Sequence, residues 1–171
     1  MTPGPDRLLR LAEKYRTLGA LRRARAAGDP LPDRAVFQAL ADELPGSVAE
    51  LDTLPLDTID ARAEALARAA SGGPIEPWMT WLSGYHALFR AALRIRSRAR
   101  RERDPDPARA AILALDASTH AGIPVDPDFV RAVCRPPAGR LAAVIFARLE
   151  EAHGAPRAVI KQAIFPGSRR G

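Results

Sequence analysis

Three histidines, one cysteine and twenty carboxylates are among the side chains in this sequence able to carry proton transfer, nucleophilic attack or metal binding. Such chemistry needs them in particular spacings, because a metal or a reacting atom must be reached by several groups at once. His86, His120 and His153 are far apart, and none sits in a HExxH or Cys-His spacing that would hold zinc. His120 follows Asp116 by four residues near an expected helix end, which reads as a surface ion pair or a dipole partner. His86 borders a stripe of aromatic residues and reads as a partly buried, hydrogen-bonded histidine. Asp57 and Asp60 belong to a helix start, where capping and the helix dipole account for them. Cys134 is next to Arg135, whose charge would lower its pKa, yet it follows Val133 in an apolar stretch and reads as inert. Neither a nucleophile elbow nor a phosphate-cradling glycine loop is present. No catalytic, cofactor-binding or metal-ligating residue is expected, and the chain reads as a non-enzyme without a cofactor.

The side chains that remain are cations. The formal net charge is +6, and all but two of the basic residues, Lys14 and Lys161, are arginine. Heavy use of Arg, Ala, Pro and Gly together is also what a GC-rich genome produces, so the distribution is more telling than the total. Residues 1–28 carry a net +5, residues 29–77 a net −7, residues 78–103 a net +6 and residues 104–171 a net +2. Blocks of opposite sign in one fold can neutralise each other, so the acidic second block is a candidate partner for the Arg-rich third.

That third block falls on the longest expected helix, from Pro77 to about Arg103, where Asp104-Pro105 stops it. At 100° per residue, Trp78, Trp81, Leu82, Tyr85, Phe89, Ala92 and Leu93 cluster on one side, flanked by Leu88, Ile95 and Ala99. Beyond Leu93 the character changes. Arg96, Arg100 and Arg103 continue the apolar face, while Arg90, Arg94, Arg98 and Arg101 line the opposite side. Burying successive unpaired guanidinium groups costs several kcal/mol each. The last third of the helix is therefore expected to leave the core, or to dock on carboxylates. Arg94, Arg96, Arg98, Arg100, Arg101 and Arg103 are the candidate partner-binding residues, with Arg22, Arg23 and Arg25 as a secondary set.

Around this element the chain reads as helix throughout. Expected helices run from after Asp6 to about Ala27, after Asp33 to Pro45-Gly46, from Ser47 through Leu51, and from Asp57 to Ala70. Others follow Asp106-Pro107 up to Gly122, Asp126-Pro127, the Pro136-Pro137 pair up to Gly154, and Pro156 up to Pro166-Gly167. The last two meet at a glycine, the outline of a helix-turn-helix, with Arg157, Lys161 and Gln162 as the polar groups of the second helix. The fold class is all-α, an irregular or orthogonal bundle of eight or nine helices around the long central one. A length of 171 residues fits a single domain, 1–171, and the Ser71-Gly72-Gly73-Pro74 run would be the joint if it divided into 1–73 and 74–171. A lone cysteine, no signal-peptide pattern at Met1 to Asp6 and no apolar run of membrane-crossing length point to the cytoplasm and to no membrane partner.

The stretches Ala39-Leu40-Ala41-Asp42-Glu43-Leu44-Pro45-Gly46 through Glu50-Leu51-Asp52-Thr53-Leu54-Pro55, and Trp81 through Tyr85-His86 to Arg90, resemble an uncharacterised group of Arg-rich helical bacterial proteins. The resemblance implies a bacterial cytoplasmic origin and carries over no activity. Two functions are expected from the residues: an interaction or regulatory module that binds an acidic partner through the Arg-rich helix, or a nucleic-acid-binding protein using the same arginines with the C-terminal helix pair.

Overall fold

The computed structural model describes residues 2–30, 40, 44, 48–102, 126–134 and 141–165. Within them the chain is all-helical, with seven helices and no strand. They are α1 (Pro5–Ala26), α2 (Val48–Thr53), α3 (Leu56–Ala70), α4 (Pro77–Glu102), α5 (Pro127–Cys134), α6 (Leu141–His153) and α7 (Arg157–Ile164). The expected eight or nine is thus corrected to seven among the described residues. Of the two stretches that made up the larger number, the one after Asp106-Pro107 lies outside them and the one after Asp33 is described only at Leu40, which is helical, and Leu44; His120, Asp116 and Arg103 also lie outside.

The ends of the helices follow from backbone chemistry more than from capping side chains. Gly4, Pro55 and Pro156 are the N-caps of α1, α3 and α7, and none makes a side-chain cap bond. Pro55 instead offers its carbonyl to the amide of Ile59 at 3.1 Å, so α3 begins one residue before Asp57, which lies in the first turn. Asp126 does cap α5, accepting the amide of Phe129 at 2.9 Å. At its other end α3 closes with two bonds, Gly73 N–H to Arg68 C=O at 2.9 Å and Gly72 N–H to Ala69 C=O at 3.1 Å. This closure places Gly72 at φ +98°, a left-handed conformation that only glycine adopts without strain.

The chain divides into two compact units, Thr2–Ser83 and the part from Gly84 onward, with the boundary inside α4. In the first, α1 and α3 run antiparallel: Tyr15 meets Arg62, while Gly19 lies beside Ile59. Leu8, Leu11, Ala12, Tyr15 and Leu18 of α1 face Ile59, Ala63 and Leu66 of α3, all at 3% exposure or less. Met79 and Leu82 on the first turns of α4 are equally shielded. In the second unit, Leu88, Ala92 and Ile95 of α4 are buried along with Phe129 and Val133 of α5, Ile145 and Leu149 of α6, and Ile160 and Ile164 of α7. Tyr85 joins α4 to α6 through Phe146, whose ring centroid lies 5.1 Å away.

The single apolar stripe expected on α4 is divided accordingly. Trp78, Trp81, Phe89 and Leu93 are only half-buried, whereas Met79 and Ala91, outside that stripe, are buried. A one-face pattern presumes one core, and this helix serves two.

Candidate functional site

Three carboxylates of the acidic second block pair with arginines of α1 and α3. Arg23 pairs with Asp60, Arg25 pairs with Asp52, and Arg68 reaches Glu64 at 3.8 Å. Arg22 donates to the carbonyl of Leu54 and, at 3.4 Å, to that of Leu51, closing the end of α2. Exposed ion pairs of this kind contribute about 0–1 kcal/mol each, so they fix register more than they stabilise. Their consequence is electrostatic: the positive end of α1 and these carboxylates neutralise one another inside the first unit. Arg22, Arg23 and Arg25, the secondary docking set, are therefore engaged within the chain.

A different arginine supplies the best-packed polar contact of that unit. Arg62 is 5% exposed, donates to the hydroxyl of Tyr15 at 3.2 Å, and has its guanidinium carbon 5.8 Å from the Tyr15 ring centroid and 5.0 Å from that of Trp78. It ties the first turn of α4 to the α1–α3 pair. Sequence reasoning passed over it, although its place three residues after Ile59 and four before Leu66 puts it on the inward face of α3.

The primary docking set lies on the second half of α4. Arg94 is exposed, whereas Ile95, the next residue, is 3% exposed, so the helix is still seated in its core at this point. Arg96 is half-buried, and its charge acts on the thiol of Cys134. Arg98, Arg100 and Arg101 lie on the helix as it runs to Glu102, with their side chains outside the described part. At Arg94 the helix therefore presents a cation without having left its core.

The remaining chemistry-bearing residues are tied down. Burial raises the pKa of Cys134 above the usual thiol value, outweighing the opposing charge of Arg96. His86 is 4% exposed. His153, at the end of α6, is half-buried, and that burial lowers its pKa. Arg148 holds Asp126 with two bonds of 2.8 Å, reaches Glu151 at 3.3 Å, and stacks over Phe129 at 5.7 Å. The amide of Phe129 and the Arg148 guanidinium keep the Asp126 carboxyl below its ordinary pKa. Among the described residues no group of three His, Cys, Asp or Glu side chains is placed to hold a metal ion, and no helix is long and apolar enough to cross a membrane.

At the C-terminal pair, α6 ends at His153 and α7 starts at Arg157, so the turn is Gly154-Ala155-Pro156. Gly154 takes φ +62° and donates to the carbonyl of Glu150 at 2.9 Å. Arg157, Lys161 and Gln162 are all exposed, as expected. No protein family, no curated protein and no solved structure gives a match to this chain.

Proposed function

We propose that this protein is a non-enzymatic interaction module whose Arg-rich half of α4 docks an acidic protein segment. The observation that carries the reading is the exposure of Arg94 while Asp52, Asp60 and Glu64 are matched by arginines of α1 and α3. Residues 78–103 carry a net +6, and those three carboxylates of the acidic block are engaged elsewhere. An Asp- and Glu-rich partner segment supplies the complementary charge, and guanidinium forks favour carboxylates through paired hydrogen bonds. The setting is the cytoplasm of a bacterium, and the proposed architecture is an irregular helical bundle.

The test is fluorescence anisotropy of a labelled poly-glutamate peptide against a neutral peptide of equal length, at low and moderate salt. Saturable binding of the acidic peptide alone supports the reading. Binding of duplex DNA or RNA with no binding of the acidic peptide replaces the protein partner by nucleic acid on the same arginines. Such a complex weakens steeply with salt as counterions are released.

A further inference from the structure

We infer that the partner docked by α4 is an acidic amphipathic α-helix laid along its second half; this rests on the acidic-partner reading and narrows the partner's chemistry. Beyond Gly84 the faces of α4 are sharply divided. Leu88, Ala91, Ala92 and Ile95 are buried and lie on one side of the helix. Two rows run along the other side. Phe89 and Leu93, four residues apart, form an apolar row that is only half-buried, and exposed Ser97 holds the next place in it. The Phe89 ring is steadied by stacking on Tyr85, with centroids 5.9 Å apart. Half-buried Arg90 and exposed Arg94 form a row of cations, in which Arg98 holds the next place by position. Leu93 is three residues from Arg90, so the two rows are neighbours on the helix surface. Among the described residues neither Arg90 nor Arg94 forms an ion pair.

Charge and spacing together select the occupant. Residues 84–102 carry six arginines and one glutamate, so the complementary charge is negative. Each row repeats every four residues, about 6 Å along the axis. A partner that matches both rows carries apolar and acidic side chains on neighbouring rows of one face, at the same repeat. An α-helix does this with residues three and four apart. An extended strand does not, because its successive side chains point to opposite faces and only one row can meet this surface at a time. Covering Phe89 and Leu93 removes apolar surface from water and adds affinity that salt does not screen, while the carboxylates set partner and register. A uniformly acidic chain such as poly-glutamate meets the cation row alone.

The experiment titrates the full chain against three labelled peptides by fluorescence anisotropy: poly-glutamate, a Leu-Glu peptide patterned at the helical period, and a scramble of that peptide with identical composition. The patterned peptide should bind about tenfold tighter than its scramble, the gain from completing the burial of two half-buried side chains. Leu93→Gln should bring the two peptides to nearly equal affinity, with circular dichroism checking that the variant stays folded. Ser97→Leu, at an exposed position where folding is not at stake, lengthens the apolar row; it should tighten the patterned peptide several-fold and leave the scramble unchanged. Equal affinity of the patterned and scrambled peptides for the wild type overturns the helical partner and leaves acidic docking standing. So does a Ser97→Leu variant that gains nothing for the patterned peptide. Binding of none of the three peptides removes both this inference and the reading beneath it, whether or not duplex DNA binds.

Discussion

Replacing Arg62 by alanine should destabilise the first unit by about 3 kcal/mol. The guanidinium lies against two rings, each such contact contributing about 0.5–2 kcal/mol when shielded from water. It also satisfies the Tyr15 hydroxyl, which is 1% exposed and has Arg62 as its hydrogen-bond partner among the described residues. Leaving a buried hydroxyl unpaired costs about 1–3 kcal/mol. Release of the buried cation from its desolvation penalty offsets part of the loss. Urea unfolding followed by tryptophan fluorescence is the assay, since Trp78 reports on the contact itself; at a slope near 2 kcal/mol per molar the midpoint should fall by roughly 1.5 M. Tyr15→Phe in the same background should be non-additive by about 1 kcal/mol. A loss under about 1 kcal/mol for Arg62→Ala, with additive behaviour, would refute the view that this arginine fastens α4 to the α1–α3 pair.

Other expectations follow from the same geometry. Asp126→Ala removes both a helix cap and the partner of Arg148 and should cost about 1–2 kcal/mol, whereas Asp126→Asn keeps the cap and should cost less, as thermal melts would show. Because the Asp126 pKa is lower in the folded state, its stabilising effect is complete above the ordinary aspartate value and fades as pH falls through the folded-state value; acid melts of Asp126→Asn should lack that component. Gly19→Ala should be neutral or gain up to about 1 kcal/mol of helix propensity, since the tightest contact of the new Cβ, 3.1 Å, is the far end of the long Arg23 side chain, not backbone. Gly73→Ala should destabilise, because there the Cβ would sit 2.8 Å from the backbone oxygen of Arg68. Alkylation of Cys134 should be slow at neutral pH and should rise only above the ordinary thiol value of 9.0.

Helical periodicity made most of the fold readable. The inward residues of α1 and α3 lie at three- and four-residue spacing, and Asp126-Pro127 and Gly154 marked real boundaries. Where the sequence was silent, the missing information was tertiary. Nothing local tells that Asp126 is held by an arginine 22 residues away, or that Asp60 belongs to Arg23. The division of α4 between two cores was equally hidden, because a helical wheel assumes one buried side. Arg62 was legible in principle from its spacing, but charge type outweighed position. At the candidate site, composition pointed to the arginines of α4, while only the structure could separate exposed Arg94 from half-buried Arg96.

The central claim is that Arg22, Arg23 and Arg25 of α1 are engaged within the molecule, and the proposal built on it is that the Arg-rich half of α4 docks an acidic partner. Titration of labelled poly-glutamate with Arg94→Glu/Arg98→Glu/Arg101→Glu, beside Arg23→Gln, tests it directly. At about 1.4 kcal/mol per tenfold change, the triple reversal should weaken binding by roughly a hundredfold or more, and Arg23→Gln should leave it within about twofold. Equal affinity of the triple variant and the wild type, or a large loss on changing Arg23 alone, would contradict the account.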